Sequence, residues 1–238
     1  VEQLGRESAP DHRRAGKLMQ SSFSRFLRKN LPYLLPCAGF WIAGALALAL
    51  WGKVDVQVFL NGFHTPFQDT FWVSVTAMGG TVFCLCVLLA GSLFSYRYMV
   101  SGIVSILCTM ALVALLKHAF DAPRPLTVLT QAGVWDSIVL VEGHPLRDTL
   151  SFPSGHTAAA FSLFTTLALF ATRAWVKTLL FLAALAVAYS RIYLMQHFLS
   201  DVLAGSFLAT VISIAVYLWA RKARWIDFGR PLVSLRRY

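Results

Sequence analysis

Two histidines and three cations sit at spacings that suit the handling of a phosphoryl group. His197 and Asp201 are four residues apart, which on a helix stacks them on one face. A carboxylate behind an imidazole fixes its tautomer and favours its charged form, as nucleophilic hydrolysis requires. An isolated pair of this kind serves equally well as a structural hydrogen bond. Pro153-Ser154-Gly155-His156 reads as a helix start. Backbone N–H groups there, with the helix dipole, form an anion site. A histidine in the first turn is placed to give a proton to a departing oxygen. On its own, the same run is an ordinary N-cap. Lys117, Arg124 and Arg191 supply three cations, and a phosphoryl group in flight spreads its charge over three oxygens. Taken singly, each is also explained by snorkelling to lipid headgroups.

The elements that must position these residues are membrane helices. Of 238 residues, 57% are hydrophobic and only 13% charged, too few charges to cover a water-soluble domain of this size. Mean hydropathy is +0.63. Six apolar blocks of spanning length stand out: 31–51, 70–96, 98–116, 149–172, 174–190 and 202–220. In lipid the backbone must satisfy itself, so the blocks are read as helices, and the expected fold is all-α, six transmembrane helices in one bundle. The first block is longer than a signal-peptide core and follows a basic stretch, so it is read as a retained helix. The four cysteines lie inside apolar blocks without zinc spacing and read as small buried hydrophobes.

The net charge of +10 is a matter of topology. Sixteen of the 21 Lys and Arg fall in the two terminal segments and the second-to-third and fourth-to-fifth connections. By the positive-inside rule both termini are then cytoplasmic, and no nucleic-acid partner is needed to explain the charge. The other five include Lys117, Arg124 and Arg191. Every candidate site residue thus falls on one membrane face, the outer one. Residues 1–30 form a basic N-terminal segment, 31–220 the membrane domain, and 221–238 a basic C-terminal tail. The first segment is either an amphipathic helix on an anionic membrane surface or an unstructured flank that only fixes topology.

Three motifs, in order and with fixed spacings, outweigh their separate explanations. Lys117, six residues, Arg124-Pro125; then Pro153-Ser154-Gly155-His156; then Ser190-Arg191, five residues, His197, three residues, Asp201. The chain resembles the type 2 phosphatidic acid phosphatase superfamily, the membrane branch related to vanadium haloperoxidases, and matches its signature at every position. The resemblance implies that His197 attacks phosphorus and becomes a phosphohistidine, oriented by Asp201. His156 protonates the leaving oxygen and then activates water. Lys117, Arg124, Arg191, Ser154 and the Gly155 N–H hold the phosphoryl oxygens. No metal and no cofactor is implied, and the residues agree, since cations stand where a metal enzyme needs clustered carboxylates. No glycine loop ending in Lys-Ser/Thr is present for nucleotides.

The expected activity is hydrolysis of a lipid phosphomonoester or pyrophosphate at the outer face of a cytoplasmic membrane. The substrate classes are undecaprenyl pyrophosphate, phosphatidylglycerophosphate and phosphatidic acid, with lipid A 1-phosphate or phosphotransfer to another lipid as alternatives. A transporter is disfavoured because the ionisable groups gather at one mouth and not at mid-bilayer. Residues 119–152 form the longest outer connection and either cap the site or merely connect. Residues 52–69 carry Val56, Phe59, Leu60, Phe63 and Phe67 and read as a short interfacial helix or one packed on the bundle.

Overall fold

The computed structural model describes residues 12–93 and 95–222. They form eight α-helices, with no strand among them: α1 (His12–Asn61), α2 (Pro66–Thr76), α3 (Thr81–Ser92), α4 (Tyr96–Phe120), α5 (Pro125–Gln131), α6 (Gly155–Phe170), α7 (Ala174–Tyr193) and α8 (Leu199–Lys222). Residues 1–11 and 223–238, which hold parts of both basic segments, lie outside the described residues. Within α1 the helix runs from His12 past residue 30 to Gly52, where φ of 78° breaks it. That left-handed value is open to glycine without a Cβ penalty. The stretch 53–61 is helical beyond this kink.

Four helices are long and apolar enough to cross a membrane: Phe23–Asn61, Tyr96–Gln131, Ala174–Tyr193 and Leu199–Lys222. The expected second span, 70–96, is not one straight helix. A short 3-10 turn at Ala77–Gly79 and an extended Gly80 separate α2 from α3, with a 58° bend, and only together are the two helices long and apolar enough for a span. Local chemistry starts these helices. Thr65 caps α2 by accepting from the Gln68 N–H ahead of Pro66, and Ser95 caps α4 by accepting from the Tyr98 N–H.

The expected fourth span, 149–172, is only 16 residues of helix, below spanning length. At 1.5 Å per residue that is about 24 Å. Residues 149–154 are non-helical instead, with Leu150 at a left-handed φ of 56°. Pro153 has no N–H to give to a helix and disfavours helical geometry at Phe152. The preceding carbonyls are used elsewhere, as the site requires. α6 is also the central helix, with twelve of its sixteen residues buried against α4, α7 and α8. Its length is therefore set by its neighbours and not by contact with lipid.

The core joins Tyr33 and Cys37 of α1, Phe161 and Phe164 of α6, Phe181 and Val187 of α7, and Val202 and Ala209 of α8. Polar side chains pin the helices where lipid offers no partner. Tyr33 Oη meets Thr165 Oγ1 at 2.8 Å, Ser162 donates to Thr109 at 2.9 Å, and Trp41 donates to Ser206 at 3.0 Å. Lys177, fully buried, gives hydrogen bonds to Asn30 Oδ1 at 2.5 Å and to the Ala168 carbonyl at 2.6 Å, tying α1 to the end of α6. The outward faces carry Leu35, Ile42, Leu50, Val82, Leu107, Leu115 and Leu179, all exposed. So large an apolar exterior belongs in a bilayer. Cys37 and Cys84 are buried as expected, but Cys86 and Cys108 are exposed on that exterior, because the apolar blocks containing them have an outward face.

α6 and α8 meet backbone to backbone. The Ser154 N–H donates to the Asp201 carbonyl at 3.0 Å. A Cβ built on Gly205 would lie 2.7 Å from the Ser154 carbonyl oxygen. Only glycine permits that approach.

Candidate active site

His197 does not begin the last helix; it lies in the turn between α7 and α8, two residues before Leu199. The turn folds back on itself because the N–H groups of both Gln196 and His197 donate to the Arg191 carbonyl, at 3.0 and 3.2 Å. Met195 takes a left-handed φ of 55° to allow it. Asp201 sits in the first turn of α8, and its Oδ2 accepts from the Phe198 N–H at 3.1 Å, capping the helix. The same oxygen accepts from Ser151 Oγ at 2.5 Å and lies 3.4 Å from His197 Nδ1. Nδ1 therefore faces the carboxylate, which leaves Nε2 as the free ring nitrogen. His197 is buried, and burial pushes its pKa down to about 3; Asp201 acts against this, while Arg191 and Arg124 add to it. The ring is neutral and nucleophilic at ordinary pH.

The three cations are each held by protein oxygens. Lys117 Nζ donates to the Leu150 carbonyl and more weakly to that of Ser151, at 3.4 Å. Arg124 Nε donates to the Thr149 carbonyl at 2.8 Å, and its Nη1 to Gln196 O at 3.0 Å and Gln196 Oε1 at 3.2 Å. Arg191 Nη1 donates to Thr76 Oγ1 at 2.7 Å, while its buried Nε has no partner among the described residues and is a donor in reserve for a ligand oxygen. The carbonyls of this non-helical 149–151 stretch are thus the acceptors that aim Lys117 and Arg124. Backbone pairing of Arg124 N with Asp148 O and of Ser151 N with Ala122 O, both at 2.8 Å, holds this strap in place. The three non-glycine residues with positive φ, Asp121, Leu150 and Met195, all flank the site. Strained backbone of this kind gathers where geometry is over-determined.

A cavity of about 280 Å³ is lined by Lys117, Arg124, Gly155, His156, Arg191 and His197. Six of the eight expected site residues therefore share one wall, drawn from α4, α6, α7 and the loops between them. Asp201 stands behind His197. Ser154 is not at the surface of this cavity: it is fully buried and its hydroxyl donates to Thr157 Oγ1 at 2.9 Å. His156 is exposed to the opening. Thr76, His144, Pro145, Arg147 and Gln196 complete the lining. Ser151, Thr76 and Gln196 escape the sequence because their parts depend on how the strap, the broken span and the α7–α8 turn converge. His144 and Arg147 sit in the long connection, whose charged residues were the available signal.

A second cavity, of about 330 Å³, adjoins the first and shares Gly155 and His156 with it. Its walls are apolar: Leu85 and Leu88 of α3, Ile103, Leu107 and Met110 of α4, and Ala159 of α6. Met110 stands at the junction, its Cε 3.6 Å from where a Gly155 Cβ would be. Among the described residues no three His, Cys, Asp or Glu side chains converge as metal ligands would.

Proteins similar to this chain include phosphatases. The lipid A 4'-phosphatase of Bacteroides thetaiotaomicron is 27% identical over 185 residues, covering 71% of this chain and 78% of the relative. The crystal structure of Aquifex aeolicus LpxE superposes with a TM-score of 0.61 at 29% identity, covering 69% of this chain and 93% of that one. A transmembrane PAP2-type phosphatidylglycerolphosphate phosphatase from Bacillus subtilis shares the fold at 21% identity, with a TM-score of 0.58 over 81% of this chain and 98% of its own. Residues 98–225, more than half of the chain and the whole of the three motifs, match the PAP2 superfamily, and the chain belongs to it.

Proposed function

We propose that this PAP2 membrane phosphatase removes phosphate from a long-chain lipid, which lays its hydrocarbon along the α3–α4 groove while its headgroup enters the polar cavity. The single observation that carries this reading is the continuity of an apolar and a cationic cavity at Gly155 and His156. Each CH₂ taken into such a groove contributes about 0.8 kcal/mol, available only to an acyl or prenyl substrate. In the reaction His197 Nε2 attacks phosphorus, the bond from phosphorus to the leaving oxygen breaks, and His156 gives that oxygen a proton. His156 then takes a proton from water, whose oxygen displaces the histidine and releases inorganic phosphate. Lys117, Arg124, Arg191 and the Gly155 N–H stabilise the equatorial oxygens. Ser154 serves chiefly as the docking point of α6 on α8, its hydroxyl being held by Thr157. The cations perform the charge neutralisation, so no metal takes part.

In the membrane the broken α2–α3 pair and the short α6, extended by its strap, complete six crossings, with the site at the outer face of the cytoplasmic membrane and both termini inside. The charge bias across the connections supports this orientation. The lipid A 4'-phosphatase relative brings acylated sugar phosphates forward beside prenyl and glycerolipid phosphates as substrates. Purified protein in one detergent, given long-chain lipid phosphates of these classes and glycerol phosphate, should release phosphate with much higher kcat/KM from the long-chain compounds. Equal efficiency on glycerol phosphate would make the membrane mere anchorage and defeat the lipid reading.

A further inference from the structure

We propose that His144 and Arg147 form a second anion subsite beside the catalytic one, built for a leaving group that carries a further phosphate, as in a lipid diphosphate. The proposal rests on the phosphatase reading and goes beyond the residues of the three motifs. Both side chains come from the long 121–154 connection and both line the catalytic cavity. Their position is fixed by Pro145 between them: Gln196 Nε2 donates to the Pro145 carbonyl at 3.0 Å, while Gln196 Oε1 accepts from Arg124. Gln196 is itself buried. One amide thus holds a catalytic-site arginine with one end and the loop with the other.

Charge makes this arrangement receptive to an anion. Lys117, Arg124 and Arg191 all donate to protein oxygens and already face the cavity. Among the described residues Arg147 has no carboxylate within ion-pair distance, and neither Arg147 nor His144 makes a side-chain hydrogen bond. Asp201 is committed to His197, Ser151 and the Phe198 N–H. Asp148, the next carboxylate along the chain, lines an adjoining depression with Lys117, Arg124 and Arg147 and not the catalytic cavity. The loop brings a fourth permanent cation, Arg147, exposed to solvent, to the rim beside the other three, and an anion between them is attracted by all four. Burial and the nearby Arg191 lower the pKa of His144, so it too adds a hydrogen-bonding nitrogen without a second fixed charge of its own.

Space agrees. A cavity of about 280 Å³ has the room of several waters, each about 30 Å³ in the liquid, and exceeds what one phosphoryl group fills. A single phosphomonoester brings about −1.5 to −2 charges. A second phosphate on the leaving side places its oxygens against His144 and Arg147 while the terminal phosphorus stays at His197.

Binding and turnover test this separately. Methylenediphosphonate and methylphosphonate, neither hydrolysable, are titrated calorimetrically into wild-type protein and the variants Arg147→Gln and His144→Gln. The ratio of the two affinities on one sample is independent of the folded fraction. Wild type should favour the diphosphonate at least tenfold, and each variant should cut that ratio several-fold. An equal affinity for both probes in wild type, or a ratio untouched by Arg147→Gln, overturns the subsite. In parallel, kcat/KM on farnesyl diphosphate relative to farnesyl phosphate should fall at least fivefold in Arg147→Gln; an unchanged ratio also overturns it. A diphosphonate preference that the variants abolish, in a protein that releases phosphate from neither farnesyl ester nor any of the long-chain lipid phosphates named above, supports the subsite and defeats the phosphatase reading instead.

Discussion

At the scale of single residues, the site works by holding one imidazole neutral among cations. His197 has Asp201 behind it and Arg124 and Arg191 across the cavity, and burial decides the outcome. Its conjugate acid is less favoured in the folded protein than in the unfolded chain, so the proton is lost at lower pH than the usual value near 6.5. NMR titration of the His197 ring in detergent should therefore place its midpoint well below pH 6.5; a midpoint at or above that value contradicts the packing described. His197→Ala should abolish turnover, because no phosphohistidine can form. His156→Ala should lose roughly 10²–10⁴-fold for lack of an acid, and less on aryl phosphates, whose leaving groups need little protonation. Phosphate release by the purified variants checks both. The residues that line the cavity from the three motifs were legible in the sequence because their spacings are local: seven residues from Lys117 to Arg124, and a four-residue step from His197 to Asp201 behind it. Ser151 was not, since its bond to Asp201 spans fifty positions that no periodicity connects.

At the scale of elements, the informative departures are where helix gives way. The sequence marks apolar blocks by composition, and composition does not say where an apolar stretch stops being helical. Residues 149–154 are as uncharged as the helix after them, yet they are not helical, and their carbonyls hold Lys117 and Arg124. Likewise the block 70–96 hides the bend at Gly79 and Gly80, which brings Thr76 to Arg191. The turn before α8 adds Gln196, the acceptor for Arg124 and the donor to Pro145. Gln196→Ala should raise KM at least several-fold with a smaller fall in kcat, since hydrogen bonds to a charged group are worth about 1.5–3 kcal/mol and Arg124 would lose its aim. Gln196→Glu should restore the acceptor but not the loop contact. Steady-state kinetics on the two variants distinguish positioning from general loss of stability, which would lower kcat alone through the active fraction.

At the scale of the whole molecule, the bundle separates a catalytic end from a structural one. The end carrying His197 has the cations, the strap and the long connection. The other has the buried Lys177, which joins α1 to the last carbonyls of α6. The proposed orientation, argued from the charge bias, puts the first end outside and the second in the cytoplasm. Cysteine labelling in sealed vesicles should find position 132 open only from outside and position 224 only from inside; labelling of position 132 from the cytoplasm contradicts the orientation and, with it, access from the outer leaflet. All-α architecture and membrane residence were legible from composition because lipid forces helices. The central place of α6 was not, because a helix buried by protein and one bathed in lipid have the same hydropathy.

The contact at Gly205 has a consequence for how this enzyme fails. His156 rides on α6 and His197 on the approach to α8, and the Ser154 carbonyl resting where a Cβ of Gly205 would lie sets the distance between them. An added methyl there touches no substrate and removes no reactive group. It should act as a shim between α6 and α8, so that Gly205→Ala is expected to give a folded, membrane-inserted protein with little activity, which phosphate release measured against the amount of protein in the membrane fraction checks. The tolerance of the machine is thus gauged by an atom that is missing, fifty-one residues along the chain from the serine it admits.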